Sequence, residues 1–309
     1  MRGVILVCVL ALLVVSCGDG GSLDQQAATT ALAESPTTAA ADPTTTTVVE
    51  PATAAPLPVG CAEPLAEPGE YEELNVYGDV EQAYWMVVPE TYADVAPAPL
   101  YLHLASGGGD HNGFLEGWRP YLDDLDGLMA MVNTTVGGPP PGRSSPDVLV
   151  ALIDQVTGEY CVDPSRVHVM GTSWSSQMAE RLACEAADRI ASFVGAGSTP
   201  AEMCTPARPV PVWGFTGDPD RATTTRSVEK WVGINACDPE PVVEDLGSGV
   251  FRKTYENCEA DVVFYDIEGM GHKWPMHEAI GPGAKFIAEF AEVDYLEDVL
   301  DFFADHPLP

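Results

Sequence analysis

The sequence predicts an α/β fold, a mostly parallel central sheet with helices on both faces. Three observations point there. Short apolar, β-branched runs alternate with helix-length amphipathic segments along most of the 309 residues, the pattern of βαβ crossover units. About 250 residues follow a low-complexity N-terminal stretch, the size of one such domain. At the centre, Val167-His168-Val169-Met170-Gly171-Thr172-Ser173 reads as a strand ending in a tight turn, followed at once by a helix over 174–185.

Taken in order, Leu74–Tyr77 and Ala83–Val88 read as strands joined by a Gly78-Asp79 hairpin turn. Leu100–Leu104 is a buried strand leading into a glycine-rich loop, and Met129–Val132 is another strand. Ser145-Pro146-Asp147 has the layout of an N-cap, a first-turn proline and an acid suited to the helix dipole, opening a helix to about Glu159. Strands at Ser192–Ala196 and Val210–Phe215, a helix over about 224–235 and a strand at Asp261–Ile267 continue the alternation. The stretch 284–304 is expected to be one helix packed on a sheet face.

The turn at Ser173 has the form of a nucleophile elbow. A sharp strand-to-helix turn holds a serine hydroxyl above the sheet, and the helix N-terminus offers backbone N–H groups to a developing oxyanion. The usual pattern is G-x-S-x-G; here the last position is Ser175. Such a serine needs an acid and a histidine later in the chain, each past a strand end. Thr216-Gly217-Asp218-Pro219-Asp220 follows one strand, and Gly269-Met270-Gly271-His272-Lys273-Trp274-Pro275 follows another. The expected trio is therefore Ser173, Asp218 and His272, with Asp220 the competitor for the acid and His277 the fallback for the base. His103 is expected to be a hydrogen-bonded core histidine, and His111 a solvated loop residue. The loop 107–113 lacks G-x-G-x-x-G because position 112 is asparagine, which excludes a dinucleotide cradle.

Val162-Asp163-Pro164-Ser165-Arg166-Val167, Arg181-Leu182-Ala183-Cys184-Glu185, Thr216-Gly217-Asp218-Pro219 and Gly271-His272-Lys273-Trp274-Pro275 together resemble the polyhydroxybutyrate depolymerase and feruloyl esterase family of secreted α/β-hydrolases. Trp231 and Cys237 fit its spacing, and the likeness runs from about Gly60 to His306. The resemblance implies the α/β-hydrolase fold and a serine esterase acting on hydroxyacid, phenolic-acid or short acyl esters, without metal or organic cofactor. Two places depart from it. The family follows its serine with x-Gly-Gly, where this chain has Trp174-Ser175-Ser176. It carries His-Gly before its oxyanion loop, where this chain has Ala105-Ser106-Gly107-Gly108-Gly109. Position in the motif makes the Trp174 N–H one oxyanion donor, with Ser106 or Gly107 supplying the second. Trp174 and Trp274 flank the catalytic group, and Trp274 is the expected substrate contact, with core packing as its alternative. A non-catalytic envelope binding protein on the same fold and a serine peptidase are the rival readings.

The N-terminus has Arg2, an apolar run from Val4 to Val15, then Ser16-Cys17, the layout of an export signal. Val14-Val15-Ser16-Cys17 resembles a lipobox, making Cys17 the expected lipid-attachment residue and the lipid the only expected membrane contact, with a plain secretory signal and an extracellular protein as the alternative. Residues 18–58, rich in Thr, Ala and Pro, are expected to be a disordered tether, and 59–309 the folded domain. Fourteen Lys+Arg stand against 47 Asp+Glu, a formal charge of −33, so nucleic acid is excluded as a partner because the field repels phosphate. Beyond Cys8 and Cys17, six cysteines remain, for which 15 pairings exist. Proximity favours Cys184–Cys204 and Cys237–Cys258, leaving Cys61–Cys161. Their spacing gives no C-x-x-C, which argues against zinc.

Overall fold

A computed structural model describes residues 59–61, 65–105, 125–134, 145–197, 204–272, 274–276, 287–289 and 295–309. Cys17, the tether, His111 and His277 lie outside these. Within the unit Ala54–Pro309, ten strands form one sheet: β1 (Gly69–Tyr77), β2 (Val80–Val88), β3 (Ala98–Ala105), β4 (Leu128–Asn133), β5 (Val162–Thr172), β6 (Ser192–Ala196), β7 (Val212–Thr216), β8 (Val242–Gly247), β9 (Val250–Tyr255) and β10 (Val262–Ile267). Their order is β1-β2-β4-β3-β5-β6-β7-β10-β9-β8. The six central strands, β4 to β10 in that order, pair in parallel, and antiparallel hairpins finish both edges. This is the α/β-hydrolase fold the sequence predicts.

The sheet is two-faced because side chains alternate with period two. On β3, Leu100, Leu102 and Leu104 face a core shared with Leu149, Leu152, Ile153 and Val156 of helix α1 (Pro146–Glu159). Ala179, Leu182 and Ala183 of α2 (Trp174–Glu185) and Val228 and Trp231 of α3 (Arg221–Ile234) complete that layer. Tyr101 and Ala105 face the opposite core, closed by Tyr295, Leu296, Val299 and Phe303 of α4 (Tyr295–Asp305). Strands covered on both faces lose the polar alternation of a half-exposed strand, and every residue of β3, β6, β7 and β10 is buried.

The capping signals are met at α1, where the Ser145 hydroxyl accepts from the Val148 N–H with Pro146 in the first turn. Three disulfides join Cys61–Cys161, Cys184–Cys204 and Cys237–Cys258, with Cα separations of 4.1, 6.1 and 3.9 Å. This is the pairing that proximity favoured.

Two elements differ from expectation. The C-terminal helix begins at Tyr295 rather than near 284, and Ile287–Glu289 instead pairs in parallel with Trp274–Met276 as a separate two-stranded ribbon, β12 with β11. The apolar residues of that stretch fit either period, and pairing with the histidine loop decides between them. The β8–β9 hairpin is the other element that the sequence pattern does not predict. Its outer strand is almost wholly exposed, so Glu244 and Asp245 mask the period-two signal. The Gly247-Ser248-Gly249 turn, with both glycines and Ser248 at positive φ, was the clue.

Two histidines sit inside the sheet. His103 on β3 is fully buried beside the Trp274 ring, at 5.7 Å. His168 on β5 hydrogen-bonds Ser192 Oγ through Nδ1 at 2.8 Å and stacks on Phe303 at 4.6 Å. Burial pulls both pKa values down to about 3; the nearby His306 and Arg166 add to the effect at His168, and Asp163 opposes it. Both are therefore neutral in the fold, whereas in the unfolded chain they take up protons below about pH 6.5. The unfolded state then binds more protons between about pH 6.5 and 3, so their contribution to stability falls as pH falls through that window. Thermal unfolding midpoints are expected to drop from pH 7 to pH 4, and less steeply in His168→Gln and His103→Gln. Parallel curves for wild type and variants would refute this account.

Candidate active site

The site lies along one edge of the sheet, where parallel strands end at their carboxyl termini. Strand β5 and helix α2 must pass almost in contact. A Cβ on Gly171 would lie 2.5 Å from the Ser175 carbonyl oxygen, and one on Gly195 would lie 2.7 Å from Ser176 Oγ. Only glycine at 171 lets those two backbones close to that distance, while Gly195 on β6 leaves room for the Ser176 side chain. The turn between them puts Ser173 at φ 60°, ψ −128°, a region that a non-glycine residue occupies only when its surroundings force it. Ser173 N–H donates to the Ala196 carbonyl at 2.8 Å, while the Ser173 carbonyl accepts from the N–H groups of Ser176 and Gln177. The elbow is thereby tied to the end of β6 and starts α2. The first N–H groups of that helix, Trp174 among them, form the positive end of its dipole.

The next strand ends supply the partners. His272, half-exposed after β10, has its Nδ1 2.5 Å from Asp220 Oδ2 in the loop after β7. A carboxylate on Nδ1 selects the tautomer with the proton there, leaving Nε2 to accept one. This pair lies against Gly197: a Cβ there would sit 3.1 Å from Asp220 Oδ2 and from His272 Cε1. Gly197 is the neighbour of Ala196, whose carbonyl holds the Ser173 N–H. The end of β6 thus touches the Ser173 backbone through Ala196 and the histidine–aspartate pair through Gly197.

Asp218, the residue expected to orient the histidine, does something else. Its Oδ1 pairs with Arg221 at 2.8 Å and its Oδ2 accepts the Gly269 N–H at 2.9 Å, which hold its carboxyl below the usual carboxylate range. Arg221 also reaches Asp266 at 2.7 Å, and Lys253 meets the other oxygen of Asp266 at 2.9 Å. Asp218 is a brace between the acid and histidine loops, and the acid on the imidazole is Asp220. Both carboxylates lie in one turn, so only the path of that turn decides which reaches the ring. Gly217 shapes it, since a Cβ there would meet the Gly271 carbonyl oxygen at 2.3 Å.

The two tryptophans differ in placement. Trp274, expected to touch substrate, is buried beside His103 and packs edge-on against Phe215 at 4.8 Å. Core packing is what it does. Trp174 is the exposed indole, at 56 % of its surface, and with Gln177, Met178 and Arg181 it lines a cavity of about 440 Å³ along α2. Ser106 and Gly107, the expected second oxyanion donors, lie outside the described residues. Among the described residues no cluster of three or more metal-ligating side chains forms.

No family model matches the chain. It is similar to a feruloyl esterase B of Piromyces equi, 27% identical over 148 residues, 39% of this chain and 27% of that protein. It is also similar to a putative esterase, NocK, of Nocardia uniformis subsp. tsuyamanensis, 26% identical over 225 residues, 58% of this chain and 65% of that one. The chain thus spans less than two thirds of the length of either relative. An acetyl xylan esterase from Aspergillus awamori superposes with a TM-score of 0.56 at 13% identity, covering 76% of this chain and 99% of that one. An S-formylglutathione hydrolase from Agrobacterium tumefaciens gives 0.53 at 12%, covering 77% and 94%. The fold is that of the α/β-hydrolases, and the sequence relatives carry esterase names, as the resemblance in the histidine and acid loops implied.

Substitution separates the two aspartates. Asp220→Asn is expected to lower kcat by about 1000- to 10,000-fold, through loss of the correct tautomer. Asp218→Asn should change it only a few-fold while lowering the temperature of unfolding. The reverse ranking would restore Asp218 as the orienting acid.

Proposed function

We propose that this chain is an exported serine esterase working through Ser173, His272 and Asp220. The observation that carries the reading is the strained Ser173 turn, joined through Ala196 and Gly197 to the His272–Asp220 pair. His272 Nε2 takes the Ser173 proton as Oγ attacks the ester carbonyl. The Trp174 N–H, with an N–H of Ser106 or Gly107, receives the oxyanion. The imidazolium returns its proton to the leaving alcohol, and water then releases the acid by the same steps in reverse. Asp220 holds the imidazolium charge throughout.

The sequence relatives and the exposed surface together support a substrate class. The feruloyl esterase name of one relative and the exposed Trp174 face, with Met178 beside it, favour carboxylic esters of aromatic or short acids, including the phenolic and hydroxyacid esters of the family the sequence resembles. An indole face presents a flat apolar platform to such a ring. Export fits the three disulfides, which persist in oxidising surroundings. Lipid attachment at Cys17, with residues 18–58 as spacer, would hold the enzyme at the cell envelope.

The test is hydrolysis of acetyl and feruloyl esters by the wild type and by Ser173→Ala, with fluorophosphonate labelling of both. Turnover and labelling that vanish in the variant are expected; folded wild-type protein showing neither would overturn the reading in favour of a binding protein. Trp174→Ala is expected to raise KM for feruloyl esters several-fold more than for acetyl esters. An equal effect on both would remove Trp174 from acid recognition.

A further inference from the structure

Helices α2 and α3 start at two residues that the proposed chemistry needs at a fixed separation. Ser173 is the N-cap of α2, and Asp220 is the N-cap of α3. A buried polar contact joins the same two helices: Ser227 Oγ of α3 donates to Glu180 Oε1 of α2 at 2.7 Å. A carboxylate taken out of water gives up its hydration, and an apolar pair of similar volume would fill the space without that loss. Packing alone therefore gives no reason for Glu180, whereas a directional contact does.

The spacing is matched on the two helices. Glu180 lies seven residues after Ser173, and Ser227 lies seven after Asp220. Seven residues are almost two helical turns, so each side chain stands about 10 Å along its helix and within about 20° of the azimuth at which that helix starts. The contact thus ties α2 to α3 at equal depth behind the two caps. At the other end both caps meet one segment of β6. The Ala196 carbonyl holds the Ser173 N–H at 2.8 Å, and a Cβ on Gly197 would lie 3.1 Å from Asp220 Oδ2.

Apolar burial, through Leu182 of α2 and Val228 of α3, presses both helices onto the sheet but has no direction of its own. Attachment at β6 places each cap, and a hydrogen bond two turns further on sets the angle between the helices. Each cap is rigidly part of its helix: the Asp220 carbonyl accepts from the N–H groups of Thr223 and Thr224, and the Ser173 carbonyl from those of Ser176 and Gln177. We infer that Glu180 and Ser227 are positioning residues, whose hydrogen bond holds α2 against α3 and so sets the nucleophile against the acid that orients His272. Buried as they are, neither touches substrate. The inference rests on reading Ser173 and Asp220 as catalytic.

The experiment compares the wild-type full chain with Ser227→Ala, Glu180→Gln, Glu180→Leu and the double variant Glu180→Leu/Ser227→Ala, on an acetyl ester well below the unfolding temperature of each. Ser227→Ala and the double variant are expected to lower kcat by about tenfold or more, towards the roughly 100-fold that an ångström of misplacement costs. KM should stay within about threefold, as for an interaction felt only in the transition state. Glu180→Gln keeps an oxygen for the Ser227 hydroxyl and should retain most of the activity. The double variant removes both partners and should unfold within a few degrees of wild type, so its low kcat separates positioning from stability. In an Asp220→Asn background, Ser227→Ala should cost far less than in wild type, because the tie acts through Asp220. The downfield proton resonance of the His272 Nδ1–H bonded to Asp220 should weaken or move in Ser227→Ala. Where Glu180→Leu does not fold, Ser227→Ala, the smallest change, carries the test. Folded variants with wild-type kcat, losses that fall on KM, or losses that simply add to that of Asp220→Asn would overturn the inference. Turnover surviving in Ser173→Ala would defeat the esterase reading itself; turnover lost there but intact in the Glu180 and Ser227 variants would defeat only this one.

Discussion

The near-contact of β5 with α2 is the constraint from which the rest of the site follows. Gly171 gives up a side chain so that two backbones can meet, and Ser173 is left in a conformation worth roughly 1–3 kcal/mol of strain. Strain of that size persists only where surrounding interactions over-determine it. They do so here through the Ala196 carbonyl on one side and the start of α2 on the other. The same peptide segment abuts the histidine–aspartate pair, so the strained turn, its anchor and that pair meet at the end of β6. Displacing β6 by even an ångström would disturb all three.

Charge is distributed with a similar economy. In a chain with 14 basic residues against 47 acidic ones, several of the cations are placed as internal ties rather than spread over the surface. Arg208 donates to the carbonyls of Ala187 and Pro209 at 2.8 and 2.6 Å and to Ala191 at 3.1 Å. Arg166 ties Asp163 to the Pro97 carbonyl, and Arg221 links Asp218 to Asp266. The loops carrying Asp220 and His272 are flanked by this last pair of contacts. A partly exposed ion pair contributes little stability by itself. Its value here is geometric, since Arg221, Asp218 and the Gly269 N–H limit the paths that the two loops can take.

The sequence made the central sheet legible because its strands are buried on both faces and read as mostly apolar runs, as at Met129–Val132. The elbow was legible because a glycine, a serine and a helix start had to be adjacent. Legibility failed where one structural decision lies below the resolution of pattern. Asp218 and Asp220 are both acids in one turn, and the φ, ψ path through Gly217 chooses between them. Trp174 and Trp274 both adjoin the site in sequence, but the pairing of Trp274–Met276 with Ile287–Glu289, a contact between residues far apart in sequence, accompanies the burial of the second. The exposed β8–β9 hairpin was hidden for the opposite reason: a strand facing water on nearly all sides keeps no hydrophobic signature.

The histidines show how far placement, rather than residue type, sets chemistry. His103 and His168 sit in strand interiors, where burial removes the charged form and leaves aromatic packing units with a polar rim. His272 stands past a strand end, half-exposed, with a carboxylate on one nitrogen and the other left for proton exchange. A proton shuttle needs both of its states to be accessible, and a dry strand interior forbids one of them. The parallel sheet therefore separates the two uses through its geometry. Its interior keeps imidazole neutral and structural, while its carboxyl-end loops hold an imidazole at the surface with a carboxylate on one nitrogen.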